Sequence, residues 1–101
     1  MIPPIVIGFR HTGIIVKQME SSMQFYENIL GLEVVQDYKD DSNYINDVLG
    51  LSGGNIRMIK LKTQDGYIIE LLEYINHPTK VLSSPFYNVG NCHIAFTVSD
   101  A

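Results

Sequence analysis

HTGIIVKQMESSMQFYENILGLEVV, residues 11–35, changes its hydrophobic period twice, and that change decides the fold. From Arg10 to Val16 the chain is rich in β-branched residues and reads as a strand, ended by the polar pair Lys17-Gln18. From about Glu20 to Leu30 the apolar residues Met19, Met23, Tyr26 and Leu30 recur at helical spacing, and Phe25 with Ile29 widens the stripe. Gly31 suits the residue that ends this helix. Glu33 to Lys39 then returns to strand composition.

Working outward, Tyr44, Ile45, Val48 and Leu49 make a short helical pattern closed by Gly50. The Asp40–Gly54 stretch that contains it reads as a loop or a lid. Ile56 to Thr63 and Tyr67 to Tyr74 are strands joined by Gln64-Asp65-Gly66, whose Asp-Gly step signals a hairpin. Cys92 to Val98 reads as one more strand. It repeats the first: HIAFTVSDA from His93 aligns with HTGIIVKQM from His11, a small residue two positions on and valine five on. The order is β-α-β-β-β, a linker and a further β, an α+β protein.

Strand side chains alternate between faces, so parity sorts them. His11, Gly13 and Ile15 share one face of the first strand, and Ile14 with Val16 the other, which suits a helix above it. His93 leads the last strand in the same way, with Cys92 on its core side. In the fourth strand Glu70 shares a face with Ile68, Leu72 and Tyr74. An ionised carboxylate between aliphatic neighbours is costly unless it is paired or bound to a cation. Singly, each residue has an ordinary reading: a histidine at a strand start is half-exposed, and a glutamate blunts a sheet edge. Glu73 reads as a solvated charge and His77, before a proline, as solvent-facing. Placed together on a repeat, His11, Glu70 and His93 make a nitrogen–oxygen donor set suited to a divalent metal.

Composition bounds the rest. The apolar share of 46% and charged share of 18% are those of an ordinary globular domain. A formal charge of −4 with scattered basic residues excludes an electrostatic footprint for nucleic acid. One cysteine, Cys92, forms no internal disulfide and fits a reducing compartment. The opening MIPPIVIG lacks the charged start and cleavage site of a secretory leader, and no apolar run has the length of a membrane span, so a cytoplasmic location is expected.

The residues also carry a resemblance. RHTGIIVKQMESSMQFYENILGLEVV resembles the opening strand, helix and second strand of the vicinal-oxygen-chelate superfamily, which includes glyoxalases, bleomycin resistance proteins and extradiol dioxygenases. YIIELLEY is similar to its fourth strand, with the ligand glutamate in an aliphatic frame, and GNCHIAFTV to the strand opening its second module. The resemblance implies a first βαβββ module over residues 9–76, a linker over 77–90 and the first strand of a second module over 91–101. It implies His11, Glu70 and His93 as ligands of a divalent ion (Zn, Ni, Co, Mn or Fe). The family's fourth ligand, a glutamate late in the second module, has no counterpart before Ala101. Residues beyond Ala101, or a second copy in a homodimer, are expected to complete the cup. The implied activity is that of a lyase or isomerase of the lactoylglutathione lyase or methylmalonyl-CoA epimerase type. There the metal stabilises an enediolate or enolate while Glu70, as ligand, base or both, moves a proton next to a carbonyl. The alternatives are an extradiol-type dioxygenase, which would not need Glu70, and a non-catalytic module that binds a small molecule such as an antibiotic. Arg10, Arg57 and Lys60 are candidates for meeting an anionic substrate carrier.

Overall fold

The computed structural model describes residues 2–100. Its four strands, β1 (Thr12–Ile15), β2 (Glu33–Asp40), β3 (Ile56–Lys62) and β4 (Ile68–Tyr74), form one sheet in the order β1-β4-β3-β2. β3 is antiparallel to both its neighbours, and β1 lies parallel to β4. Joining β1 in parallel requires a crossover, and the helix after it provides one: α1 (Met19–Met23) runs on into a π-helical turn over Gln24–Ile29. The architecture is the α+β arrangement the periodicity predicts, with a short second helix, α2 (Asn43–Leu49), between β2 and β3.

The core lies between the sheet and α1. Met19, Ile59, Leu61, Ile69 and Leu71 are buried there, with Ile14, Val16, Met23, Tyr26, Leu32 and Val34 against them. Parity therefore sorts β1 and β4 correctly: Ile14, Ile69 and Leu71 face the helix. The helix differs from expectation in one respect. Leu30 N–H donates to Phe25 O at 2.9 Å, a bond spanning five residues, so more residues fill each turn. Phe25 and Ile29 consequently face outward instead of widening the buried stripe.

The ends of the elements follow local chemistry. Ser42 Oγ caps α2 by accepting from Ile45 N–H at 3.2 Å, and Gly50 ends that helix with φ 70°. Asp40 accepts from Ser42 N–H at 2.9 Å, and bonding to Ser42 holds its carboxyl below the usual range. At the β3–β4 turn Gly66 takes φ 95°, and Thr63 N–H donates to Tyr67 O at 2.9 Å, the hairpin that Asp65-Gly66 announces.

The C-terminal segment corrects two expectations. Residues 92–98 form no ladder with any of the four strands, and without a paired neighbour the expected strand is not present. Cys92, expected on a buried face, is exposed for the same reason. The Cα radius of gyration is 15.7 Å, against about 13 Å for a compact chain of this length. The excess comes from the segments flanking the sheet, where Ile5, Ile7, Leu82, Phe86 and Val89 are exposed.

Candidate metal-binding site on the open face of the sheet

The face of the sheet away from α1 carries the chemistry. The registers align one row across it: Gln36 opposite Lys60, Lys60 opposite Glu70, and Glu70 opposite Gly13. A bulge at Val35 makes this row possible. Val34 pairs with Leu61 over the core, yet Gln36 pairs with Lys60 on the open face. Because Gly13 presents no side chain opposite Glu70, the β1 side of the row is served by His11, just before the strand.

Glu70 is 7% exposed. Its Oε1 lies 3.5 Å from His11 Nε2, and its Oε2 lies 3.8 Å from Lys60 Nζ. Both contacts are longer than the about 2.7–2.9 Å of a strong charge-assisted hydrogen bond. A nearly buried carboxylate is thus balanced only loosely on both sides. Tyr38 stands two residues along β2 from Gln36. Burial, then the charge of Glu70 and that of Asp40, push its phenol above the ordinary tyrosine range.

That coupling can be read directly. A folded pKa above the unfolded one favours the neutral phenol, so this contribution to stability is present below the ordinary tyrosine pKa and lost as pH rises through the folded value. In a phenolate absorbance titration of wild type minus Tyr38→Phe, Tyr38 is expected to ionise later than an exposed tyrosine. Glu70→Gln should bring it only partway back, since burial is the larger cause. An unchanged titration in Glu70→Gln would remove Glu70 from its surroundings.

The sequence-derived ligands do not all meet. His11 and Glu70 converge; His93 lies with Leu82, Phe86 and Cys92 around a separate shallow cavity. Among the described residues no group of three or more His, Cys, Asp or Glu side chains is placed to hold a metal. A second cavity is lined by Phe9, Thr12, Ile68 and Ile94, again apart from Glu70.

Two further expectations change. Glu73 is not a solvated charge: its Oε1 accepts from Met19 N–H at 2.6 Å and so serves the start of α1, where Gln18 makes no side-chain cap. Its parity with Ile69 and Leu71 was the available signal. Arg57 is engaged on the helix side, donating to Asp37 at 3.0 Å and to Glu20 at 3.0 Å, and Asp37 in particular holds its pKa high. Of the three candidate cations, Lys60 is the one beside Glu70.

An imidazole nitrogen and a loosely bonded carboxylate, facing each other from the first and fourth strands, are donors of the kind a divalent ion takes, and they fit such an ion as two of its ligands. A long, apolar membrane-crossing helix is absent among the described residues. No curated protein matches the chain. A solved structure of a glyoxalase family protein from Bacillus cereus is similar, with TM-score 0.76 and 22% identity over 89% of this chain. The match spans 62% of that protein's length, and at this identity it speaks for the fold. The model of the Glyoxalase/Bleomycin resistance protein/Dioxygenase superfamily matches residues 8–101, nearly the whole sequence, and this chain belongs to that superfamily.

Proposed function

We propose that the chain contributes to a glyoxalase-like, metal-dependent lyase or isomerase in which His11 and Glu70 are two ligands of a divalent ion. The observation that carries this reading is the Glu70 carboxylate, 7% exposed and 3.5 Å from His11. Superfamily membership supports it. A bound divalent ion supplies Lewis acidity toward two adjacent substrate oxygens. The chain's own residues do the remainder. Glu70 accepts a proton from the carbon beside the carbonyl at one carboxylate oxygen and returns it. His11, as the neighbouring ligand beside the other oxygen, fixes how the carboxylate is turned. The buried surroundings of Glu70 keep water from competing for that proton.

In this reading His93 is the third ligand, brought in when residues 91–101 dock as the first strand of a second module. Residues 9–76 are the first module and 77–90 the linker. The fourth ligand comes from outside this sequence or from a second copy in a homodimer, and the enzyme works in the cytoplasm on a small molecule.

Calorimetric titration of metal-free protein with Zn²⁺, Ni²⁺, Co²⁺ and Mn²⁺ tests the site. Glu70→Gln and His11→Ala should each weaken binding at least about tenfold, since losing one of few ligands is worth more than about 1.4 kcal/mol. Equal, negligible metal uptake by wild type and both variants would end this reading. His93→Ala reports separately whether that residue joins the site in solution.

A further inference from the structure

One feature of the open face works against metal binding. Lys60 lies directly opposite Glu70 across the antiparallel β3–β4 ladder, so its side chain rises from the same row on the same face. Its ammonium is 3.8 Å from Glu70 Oε2, and its side chain is only 22% exposed. Lys60 is thus a cation held beside the very carboxylate to which a divalent ion would bind. A cation attached to the strand cannot diffuse away when the ion arrives, unlike a counterion from solvent. Two consequences follow from simple electrostatics. The ammonium repels an incoming dication, and the carboxylate must give up part of its pairing with Lys60 to accept the new partner.

We propose that Lys60 acts as a built-in competitor for Glu70, setting how tightly the site holds a divalent metal and favouring its metal-free form. The inference rests on the reading of Glu70 as a metal ligand, and it concerns affinity rather than the identity of the reaction. Lys60 is here a positioning residue. In the absence of metal it pairs with the carboxylate oxygen facing β3, leaving the other directed across the row toward His11. When metal binds, it has to swing aside or share the carboxylate through the oxygen facing β3. The long apolar stem of lysine allows that swing while staying against the sheet.

The sign of the expected effect separates this role from a structural one. If Lys60 merely supported the fold, or helped shape the site for metal, its neutralisation would weaken binding. As a competitor, its neutralisation tightens binding. The test is calorimetric titration of the metal-free full chain with Zn²⁺ and Co²⁺, using wild type, Lys60→Met, Lys60→Gln and Lys60→Arg. The ligand-field absorption of Co²⁺ gives a second, spectroscopic readout of the same equilibrium. Lys60→Met and Lys60→Gln should bind at least about tenfold more tightly than wild type, and Lys60→Arg, which keeps the charge, should stay within about threefold of it. Raising the salt concentration should narrow the gap between wild type and Lys60→Met, because screening weakens the repulsion being removed. The two neutral variants differ in polarity, so failure of one to fold, seen by circular dichroism, leaves the other to decide. Metal uptake by wild type with unchanged or weaker binding in the folded neutral variants overturns the competitor role alone. Absence of Glu70-dependent uptake in wild type and in both neutral variants overturns the competitor role together with the metal-site reading beneath it.

Discussion

Leu71→Ala is expected to cost about 2–5 kcal/mol of folding free energy, the range for truncating a buried leucine where the surroundings collapse only partly. Leu71 has no exposed surface. It sits in the middle of β4, opposite Ile59 on one side and Ile14 on the other, and all three belong to the core under α1. A cavity at that point has sheet on two sides and helix above, with few side chains free to fill it. Domains of this size are stable by about 5–15 kcal/mol, so the loss is a large fraction of the whole. Ile15→Ala is the matching control: the same strand pair, but the opposite face, where Ile15 is 62% exposed. It should change stability by less than about 0.5 kcal/mol. Urea unfolding measures both, as a shift in midpoint at constant slope. Similar losses for the two variants would mean that the division of the sheet into a core face and an open face is wrong.

That division was legible in the sequence, because parity within one strand needs no knowledge of the neighbours. Ile14, Ile69 and Leu71 on one side, and Gly13 with Glu70 on the other, follow from counting by twos. The meeting of His11 with Glu70 was legible too, through the joint placement of unusual residues on a repeat and the resemblance they carry. What parity cannot give is the relation between strands. Lys60 shares a row with Glu70 only because the turn at Thr63–Tyr67 fixes the β3–β4 register. Gln36 reaches the same row only because Val35 bulges, a backbone event with no side-chain signature. The π-helical turn is of the same kind: Met19, Met23 and Tyr26 fall on the buried stripe as expected, but Phe25 and Ile29 depend on the winding of the turn. His93 illustrates a third limit. Its likeness to His11 lies in the sequence, whereas a strand exists only when paired, and residues 92–98 pair with none of the four strands.

Asn46→Ala should cost about 2–4 kcal/mol, an unusually large effect for a polar residue on a short helix. Asn46 is 8% exposed and works as a clamp. Its Nδ2 donates to Gly54 O at 3.1 Å and to Ser42 O at 2.9 Å, while its Oδ1 accepts from Gly54 N–H at 2.7 Å. Alanine leaves both backbone groups of Gly54 without these partners, and each buried group so stranded costs about 1–3 kcal/mol. Gly54 itself has no room for a larger residue, since a Cβ there would lie 2.9 Å from both Asn46 Oδ1 and Leu51 Cδ1. Gly54→Ala should therefore reproduce much of the loss by pushing the clamp apart from the other side. Asn46→Asp keeps the acceptor for Gly54 N–H but turns a carboxylate oxygen toward Gly54 O and Ser42 O, so it should cost at least as much as alanine. Thermal unfolding gives the size of each effect, and amide hydrogen exchange gives its place: protection should drop first over residues 43–55. The clamp ties α2 to the start of β3, the strand that carries Lys60, but none of its bonds reaches Glu70. Under conditions where Asn46→Ala is still folded, it should accordingly lose stability while keeping the wild-type metal affinity. A large loss of metal binding in that variant would make the Asp40–Gly54 segment a working part of the site, and a cost below about 0.5 kcal/mol would show that the clamp does not hold the loop.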